Sequence, residues 1–240
     1  MVTTRPKTGG SKVSPRKRAR PPTSRLERSF TAQGFDIVAG LDEVGRGAWA
    51  GPVSVGVVVV PDGKAVPRGV RDSKLLSEER REELFPLITA WCAGWAVGHA
   101  SPVECDQLGM TAALRLAARR ALGGLSTMPQ VVAMDGSFDY VSDPASTSAD
   151  DAPARPDLQL PLVHTVVKGD RTCVSIAAAS IVAKVTRDRM MRSMSESFPA
   201  FDFDRNKGYP SPVHRTALAG FGLTSLHRRS WSYVDEMAFR

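Results

Sequence analysis

Apolar, β-branched runs come early, from residue 35, and strand–helix alternation follows, which predicts an α/β domain: a mixed sheet of five strands with helices against it. The clearest strand is VSVGVVVV at 53–60, short, nearly all apolar and closed by the turn residues Pro61-Asp62-Gly63. The clearest helix, 172–194, carries Ala177, Ala178, Ala179, Ser180 and Ala183, small residues that permit close packing onto a sheet.

The remaining elements fall between these. A first strand is expected over 35–41. Ser77 is a good N-cap for a helix over 78–88, with Glu78 and Glu79 in the turn that favours negative charge. Residues 95–100 read as a third strand. Residues 103–122 read as one helix, with Leu114, Ala117, Ala118 and Leu122 sharing a face and Gly123-Gly124 stopping it. A fourth strand over 130–134 runs into Asp135-Gly136, and a fifth covers 160–167. The C-terminal part, 196–240, mixes short helices with Gly208-Tyr209-Pro210, His214 and the run His227-Arg228-Arg229. There is no internal repeat.

The net charge of +7 on 240 residues is unevenly placed. Residues 1–28 hold nine of the 32 Lys/Arg residues and only Glu27 of the 25 acidic ones, leaving 23 against 24 in 29–240. A near-neutral catalytic-sized domain (29–240) thus follows a basic, Pro/Ser/Thr-rich tail, expected to be disordered and able to add salt-sensitive affinity for nucleic acid. Residues 142–158 read as a low-complexity surface loop. No window approaches the ~18 apolar residues of a membrane span. Cys92, Cys105 and Cys173 lack zinc-type spacing, which suits a reducing, cytoplasmic setting.

Acidic residues stand at three strand ends: Asp42-Glu43, Asp135 and Asp170. Each has a plain reading, as a solvated strand end, a hairpin turn and a helix cap respectively. Neighbouring strand ends would instead gather all four on one rim, where clustered carboxylates require a cationic partner. Hard divalent ions take oxygen ligands, and a pair about 3.5–4 Å apart suits in-line attack on a phosphodiester. Because successive strand residues face opposite ways, Asp42 and Glu43 converge only where the strand twists or ends. The residues alone therefore point to a metal-dependent phosphoryl enzyme.

Further motifs carry a resemblance. Asp42-Glu43-Val44-Gly45-Arg46-Gly47 with Ala50-Gly51-Pro52 is similar to the opening signature of ribonuclease HII, the bacterial type 2 ribonuclease H. Asp72-Ser73-Lys74, Met134-Asp135-Gly136, Lys168-Gly169-Asp170, the block from Ser175 to Val185, Lys207-Gly208-Tyr209-Pro210 and His214 follow in that family's order. The resemblance implies a ribonuclease H-like fold: a five-stranded mixed sheet flanked by helices, with a small helical C-terminal part. It implies an endoribonuclease that cuts the RNA strand of RNA–DNA hybrids and incises 5′ of single ribonucleotides in duplex DNA. The products would carry 3′-hydroxyl and 5′-phosphate ends. It also implies Mg²⁺ or Mn²⁺, two ions in the active complex, held by Asp42, Glu43, Asp135 and Asp170. Substrate binding falls on Gly45, Arg46, Gly47 and Tyr209. Its partners are hybrid and ribonucleotide-containing duplexes, with no membrane, and a monomer is expected.

Three features depart from the common pattern: Ala48 after Gly-Arg-Gly, the long 142–158 connection, and the basic tail. The alternative of another class is a catalytically silent hybrid-binding protein of the same fold, and a third is another two-metal nuclease on that fold, acting on DNA or as an exonuclease. Taken alone, Tyr209 would be a buried aromatic in a Gly-Tyr-Pro turn and Arg46 a surface ion-pair partner. Asp188 is read as structural, pairing with Arg187, Arg189 or backbone, and Asp72 as a turn or cap residue. His214 and His227 lack metal-ligand spacing and are read as hydrogen-bonded structural groups.

Overall fold

Hydrophobic alternation on two faces of the strands requires a layer of helices on each, and that is what forms. The computed structural model describes residues 20–142 and 160–235. Strands β1 (Val38–Val44), β2 (Val53–Val59) and β3 (Gly94–Ala100) pair antiparallel in sequence. Strands β4 (Val131–Asp135) and β5 (Leu162–Val166) return parallel to β1, giving the order β3-β2-β1-β4-β5. The mixed sheet is as expected. The loop assigned to 142–158 lies almost wholly outside the described residues.

Along β2 the valines alternate between two cores. Val53, Val55 and Val57 join Ala113, Leu114, Ala117 and Leu122 of helix α3 (Pro102–Gly123), preceded in the chain by α1 (Arg25–Thr31) and α2 (Glu78–Trp91). Val58 instead meets Leu84 and Ile88 of α2 and Ala178, Ile181 and Val182 of α5 (Val174–Ser197), which follows the single turn α4 (Gly169–Thr172). A third core lies at the C-terminal side. Phe201, Phe203, Leu218 and Tyr233, around the short helices α6 (Phe203–Asn206), α7 (Pro212–Phe221) and α8 (Ser232–Asp235), pack on Ala50 and Met191.

The small residues of α5 let it approach β1 closely. A Cβ built on Gly40 would lie 2.1 Å from the Ser175 carbonyl carbon and 2.3 Å from the Ile176 nitrogen, so this strand position admits only glycine.

Several boundaries differ from the sequence reading: α2 runs on to Trp91, β5 is only Leu162–Val166, and the helix expected over 172–194 is α5 (Val174–Ser197) behind the separate turn α4. Four further differences have a visible cause. β1 begins at Val38, because the Gln130 side chain accepts the Asp36 and Ile37 N–H groups at 2.6 and 3.0 Å and holds them outside the ladder. It then continues to Val44, pairing Glu43 with Val55 and Val44 with Ser54. Asp42 and Glu43 therefore stand inside the strand, not beyond it. α3 is broken at Gly109 (φ 76°), where the expected continuous helix fails because glycine takes a left-handed φ without steric penalty.

The stretch read as tail is the fourth. Residues 1–19 lie outside the described residues, but Arg25–Thr31 is helical and Glu27 is buried. Glu27 accepts the Ser175 N–H at 2.8 Å, placing a carboxylate on the first turn of α5. Thr23 bridges to Cys173. Among the described residues, no helix is long and apolar enough to cross a membrane.

Gly40→Ala is expected to destabilise the fold by about 1–3 kcal/mol or more, the range for overpacking a tight core. Gly123→Ala, where nothing lies within 4 Å of the added methyl, should stay within about 0.5 kcal/mol. Urea unfolding of both decides it; equal effects would remove the close-approach argument.

Candidate active site

The sheet register brings the acidic residues together. β1 and β4 run parallel with Leu41 opposite Met134, so the next residues along, Asp42 and Asp135, emerge side by side. Asp135 itself stands opposite Val166 at the end of β5. The chain then turns through Lys168, held at a left-handed φ of 58°, into α4, which carries Asp170. Asp135 Oδ1 accepts the Gly169 N–H at 2.7 Å, so one carboxylate fixes the turn that presents another.

Asp42 and Glu43 keep the strand's alternation and face opposite layers. Asp42 is buried toward α5, where Ser180 bonds it and Ser73 Oγ lies 2.8 Å from Ser180 Oγ. Glu43 faces the other side, where buried Tyr140 donates its hydroxyl to Oε2 at 3.4 Å. The four carboxylates thus straddle the end of the sheet.

Their electrostatics are unfavourable as they stand. Burial pushes the Asp42 carboxyl well above the usual range, and the charges of Glu43 and Asp135 add to it. Glu43 is raised by burial with Asp135 adding and Arg46 opposing; Asp170 is raised by burial, Asp135 and Asp72. The nearest cation is Lys74, whose Nζ lies 3.5 Å from Asp170 Oδ2 on a side chain 70% exposed. Partial burial works against its charge, but Asp42, Asp170 and Asp72 raise its pKa. An all-oxygen donor set, buried at Asp42 and Asp170, fits hard divalent cations. Among the described residues, no three such groups already close on one point, since each carboxylate is turned to its own donor.

Beyond Val44 the chain makes a loop held from behind by two buried arginines. Arg228 donates to the carbonyls of Arg46 at 3.0 Å, Gly45 at 2.7 Å and Gly51 at 3.1 Å. Arg187 donates to those of Pro52 at 2.8 Å, Lys207 at 2.9 Å and Ala50 at 3.1 Å. Gly45 has φ 86°, and a Cβ there would sit 2.3 Å from Arg187 Nε. Gly208 O accepts from Trp49 and Ala50, and the position of a Gly47 Cβ is 3.9 Å from Tyr209 Cε1. Exposed Gly47 and half-buried Tyr209 are therefore neighbours, with the Arg46 side chain outside.

The predicted site residues gather at one end of the sheet: Asp42, Glu43 and Asp135 on its strands, Asp170 on α4, and the loop after Val44 with Tyr209 against Gly47. Asp72 is the expected cap, accepting Lys74 N–H at 2.9 Å and pairing with Arg171 at 3.3 Å. Asp188 is structural but pairs with Lys184 at 2.6 Å and Arg81 at 3.8 Å, since Arg187 points away to the carbonyls. The supporting roles of Tyr140, Ser180 and Arg228 were not read from sequence, because each depends on a contact with no local spacing signal.

Comparison with known proteins agrees with this geometry. The family model for ribonuclease HII matches residues 39–234. The chain belongs to the ribonuclease HII family. A ribonuclease HII of Streptomyces griseus subsp. griseus is 50% identical over 221 residues, covering 90% of this chain and 86% of that one. One from Paracoccus denitrificans is 43% identical, covering 90% and 94%. The crystal structure of ribonuclease H2 from Pyrococcus horikoshii OT3 superposes with a TM-score of 0.68 at 30% identity, covering 83% and 96%. Ribonuclease HII proteins are divalent-metal-dependent endoribonucleases of the ribonuclease H type, acting on RNA–DNA hybrids, and this chain is an enzyme of that type.

The two histidines of the C-terminal layer are hydrogen-bonded to each other, Nε2 to Nε2, at 2.9 Å. Burial carries the His227 pKa down to about 3, with His214 and Arg229 adding, and burial with Arg215 lowers that of His214. Both folded values lie below the unfolded one near 6.5. Their contribution to stability is therefore intact above about pH 6.5 and lost as pH falls toward 3. By about pH 5 the loss from His227 should be about 2 kcal/mol, from about 1.5 pH units at ~1.4 kcal/mol each. The raised carboxyls of Asp42, Glu43 and Asp170 act with the opposite sign, so a variant isolates the effect. Urea midpoints measured at pH 7.5 and 5 should fall less in His227→Gln than in the parent; parallel slopes would refute the neutral pair.

Proposed function

We propose that the chain hydrolyses the RNA strand of RNA–DNA hybrids and incises 5′ of single ribonucleotides in duplex DNA, leaving 3′-hydroxyl and 5′-phosphate ends. The observation that carries this is the juxtaposition of four carboxylates, Asp42 and Asp170 among them buried, with a glycine loop and an aromatic ring. Asp42, Glu43, Asp135 and Asp170 would hold two divalent cations, Mg²⁺ or Mn²⁺. Such ions, when bound, lower the pKa of an attacking water and stabilise charge on the leaving oxygen.

The protein's own groups supply position and selectivity. Asp135, through its bond to Gly169, keeps Asp170 turned toward the rim. Ser180 and Tyr140 orient Asp42 and Glu43 from opposite sides of the sheet, and burial with the neighbouring carboxylates keeps the Tyr140 phenol protonated as a donor. The 2′-hydroxyl distinguishes RNA from DNA. Gly45 O already accepts from Arg228 and from the Ala48 N–H at 3.2 Å, so recognition of that hydroxyl falls to the loop amides and to Gly47. Arg46, exposed at the loop tip, binds adjacent phosphate. The flat face of Tyr209 packs on the deoxyribose that follows a ribonucleotide, where an added hydroxyl would pack poorly. The free thiols of Cys92, Cys105 and Cys173 support a reducing, cytoplasmic setting.

Two substitutions test the assignments. Asp135→Asn keeps an oxygen for the Gly169 N–H, and should lower cleavage with Mg²⁺ or Mn²⁺ at least ~100-fold while hybrid affinity stays within a few-fold. Near-normal turnover would remove Asp135 from the metal site, and a parent enzyme that binds without cutting would favour the silent binder. Tyr209→Ala should lower kcat/KM at single ribonucleotides about tenfold more than within long RNA tracts. Equal losses on the two substrates would make Tyr209 a packing residue.

A further inference from the structure

The buried histidine pair forms a chain of hydrogen bonds that runs in one direction. The Thr224 N–H donates to His227 Nδ1 at 3.0 Å, so that nitrogen offers a lone pair and the ring proton sits on Nε2. That proton points at His214 Nε2, 2.9 Å away, which accepts it. His214 then carries its own proton on Nδ1, 2.9 Å from the carbonyl oxygen of Tyr209, and donates it there. One backbone amide thus fixes both tautomers, and all four ring nitrogens are satisfied.

The end of this chain is a place that needs fixing. Tyr209 follows Lys207 and Gly208, two consecutive left-handed residues with φ 53° and 82°. Such a backbone is held by its surroundings. The Tyr209 N–H bonds Asn206 O at 2.9 Å, leaving the carbonyl to His214. His214 is itself caged by Trp49, Phe201 and Phe203, with ring centroids 5.3–6.0 Å from its own. Apolar side chains alone could fill that cage, whereas imidazoles add a directed bond to one carbonyl.

We propose that the Thr224–His227–His214 chain is a positioning device for Tyr209, setting its backbone so that the ring stands against Gly47 and the enzyme selects a ribonucleotide–deoxyribonucleotide junction. The inference rests on the reading of Tyr209 given above. His214 and His227 are positioning residues; neither reaches substrate.

The test compares two amides in place of one ring. His214→Asn keeps an N–H donor where Nδ1 stands, and His214→Gln carries its amide out to the Nε2 position, losing the bond to Tyr209. Both remove the ring and weaken the cage alike, so thermal stability should drop similarly. The readout is the ratio of kcat/KM at a single ribonucleotide to that within a long RNA tract, the second substrate controlling for folding. His214→Gln should lower this ratio roughly tenfold, on the scale of one buried hydrogen bond, and His214→Asn by no more than about threefold. A Tyr209→Ala/His214→Gln double variant should show no further loss in the ratio. Equal ratios in the two His214 variants, with Tyr209→Ala lowered, would overturn the relay alone. An unchanged ratio in Tyr209→Ala would overturn the reading of Tyr209 and the relay with it.

Discussion

Two guanidinium groups sealed from water, Arg187 and Arg228, set the geometry on which the candidate site depends. Both are fully buried, and the bonds described for them run to backbone carbonyls: Pro52, Lys207 and Ala50 for one, Gly45, Arg46 and Gly51 for the other. Burial draws the Arg187 pKa down to about 10, which still leaves it charged at neutral pH. Burying a charge costs least when its donors are met, and a planar fork with five N–H groups can meet several carbonyls from one point, although Arg228 Nε is buried without a hydrogen-bond partner. Lysine, a compact charge on a flexible stem, could not span the same set. The effect is to fasten three separate stretches, the loop after β1, the start of β2 and the turn before Tyr209, into one body.

The carboxylate rim is the opposite electrostatic case. There the charges are anionic, mutually repulsive and answered by two exposed cations, Lys74 beside Asp170 and Arg46 at 4.0 Å from Glu43. The fold can sustain that because the strand ends are fixed by their ladders and because the rim is shared between layers. Asp42 leans on α5 through Ser180, and Glu43 on the opposite layer through Tyr140. Asp170 hangs from a turn capped by Asp135. Each group is held by a different part of the core, so no single element can relax to relieve the repulsion. An unrelieved set of oxygen donors is what a divalent cation would stabilise.

Much of this was legible in the chain. Five strands and the main helices follow from apolar periodicity, N-cap Ser77 and the turn residues, because those signals are local. Asp135 could be placed at its strand end for the same reason, whereas Asp42 and Glu43 proved to lie within β1 and Asp170 in α4. Boundaries moved where a distant side chain intervened: Gln130 shortens the start of β1, and pairing with β2 lengthens its end. Glu27 looked like the lone acid of a basic tail, yet it caps a helix that begins 147 residues later at Val174. The arginine carbonyl bonds were illegible, since sequence spacing says nothing about which buried oxygens lack donors. Asp188 illustrates the same limit: its structural role was readable, its partners Lys184 and Arg81 were not.

On the proposed function, chemistry and recognition fall to different cores joined through a short covalent link. The carboxylates belong to the sheet and its two helical layers, while Tyr209, His214, His227 and Arg228 belong to the C-terminal layer. Between Glu43 and the loop glycines stands only Val44. Because Arg228 grips Gly45 and Arg46 from the C-terminal side, a shift of that layer moves the loop without disturbing the ladder that holds Asp42 and Asp135. Substitutions in the aromatic cage should therefore change which sugar is accepted before they change whether a phosphodiester is cut. The converse holds for the strand ends, where the ladder, not the cage, sets the spacing of the acids.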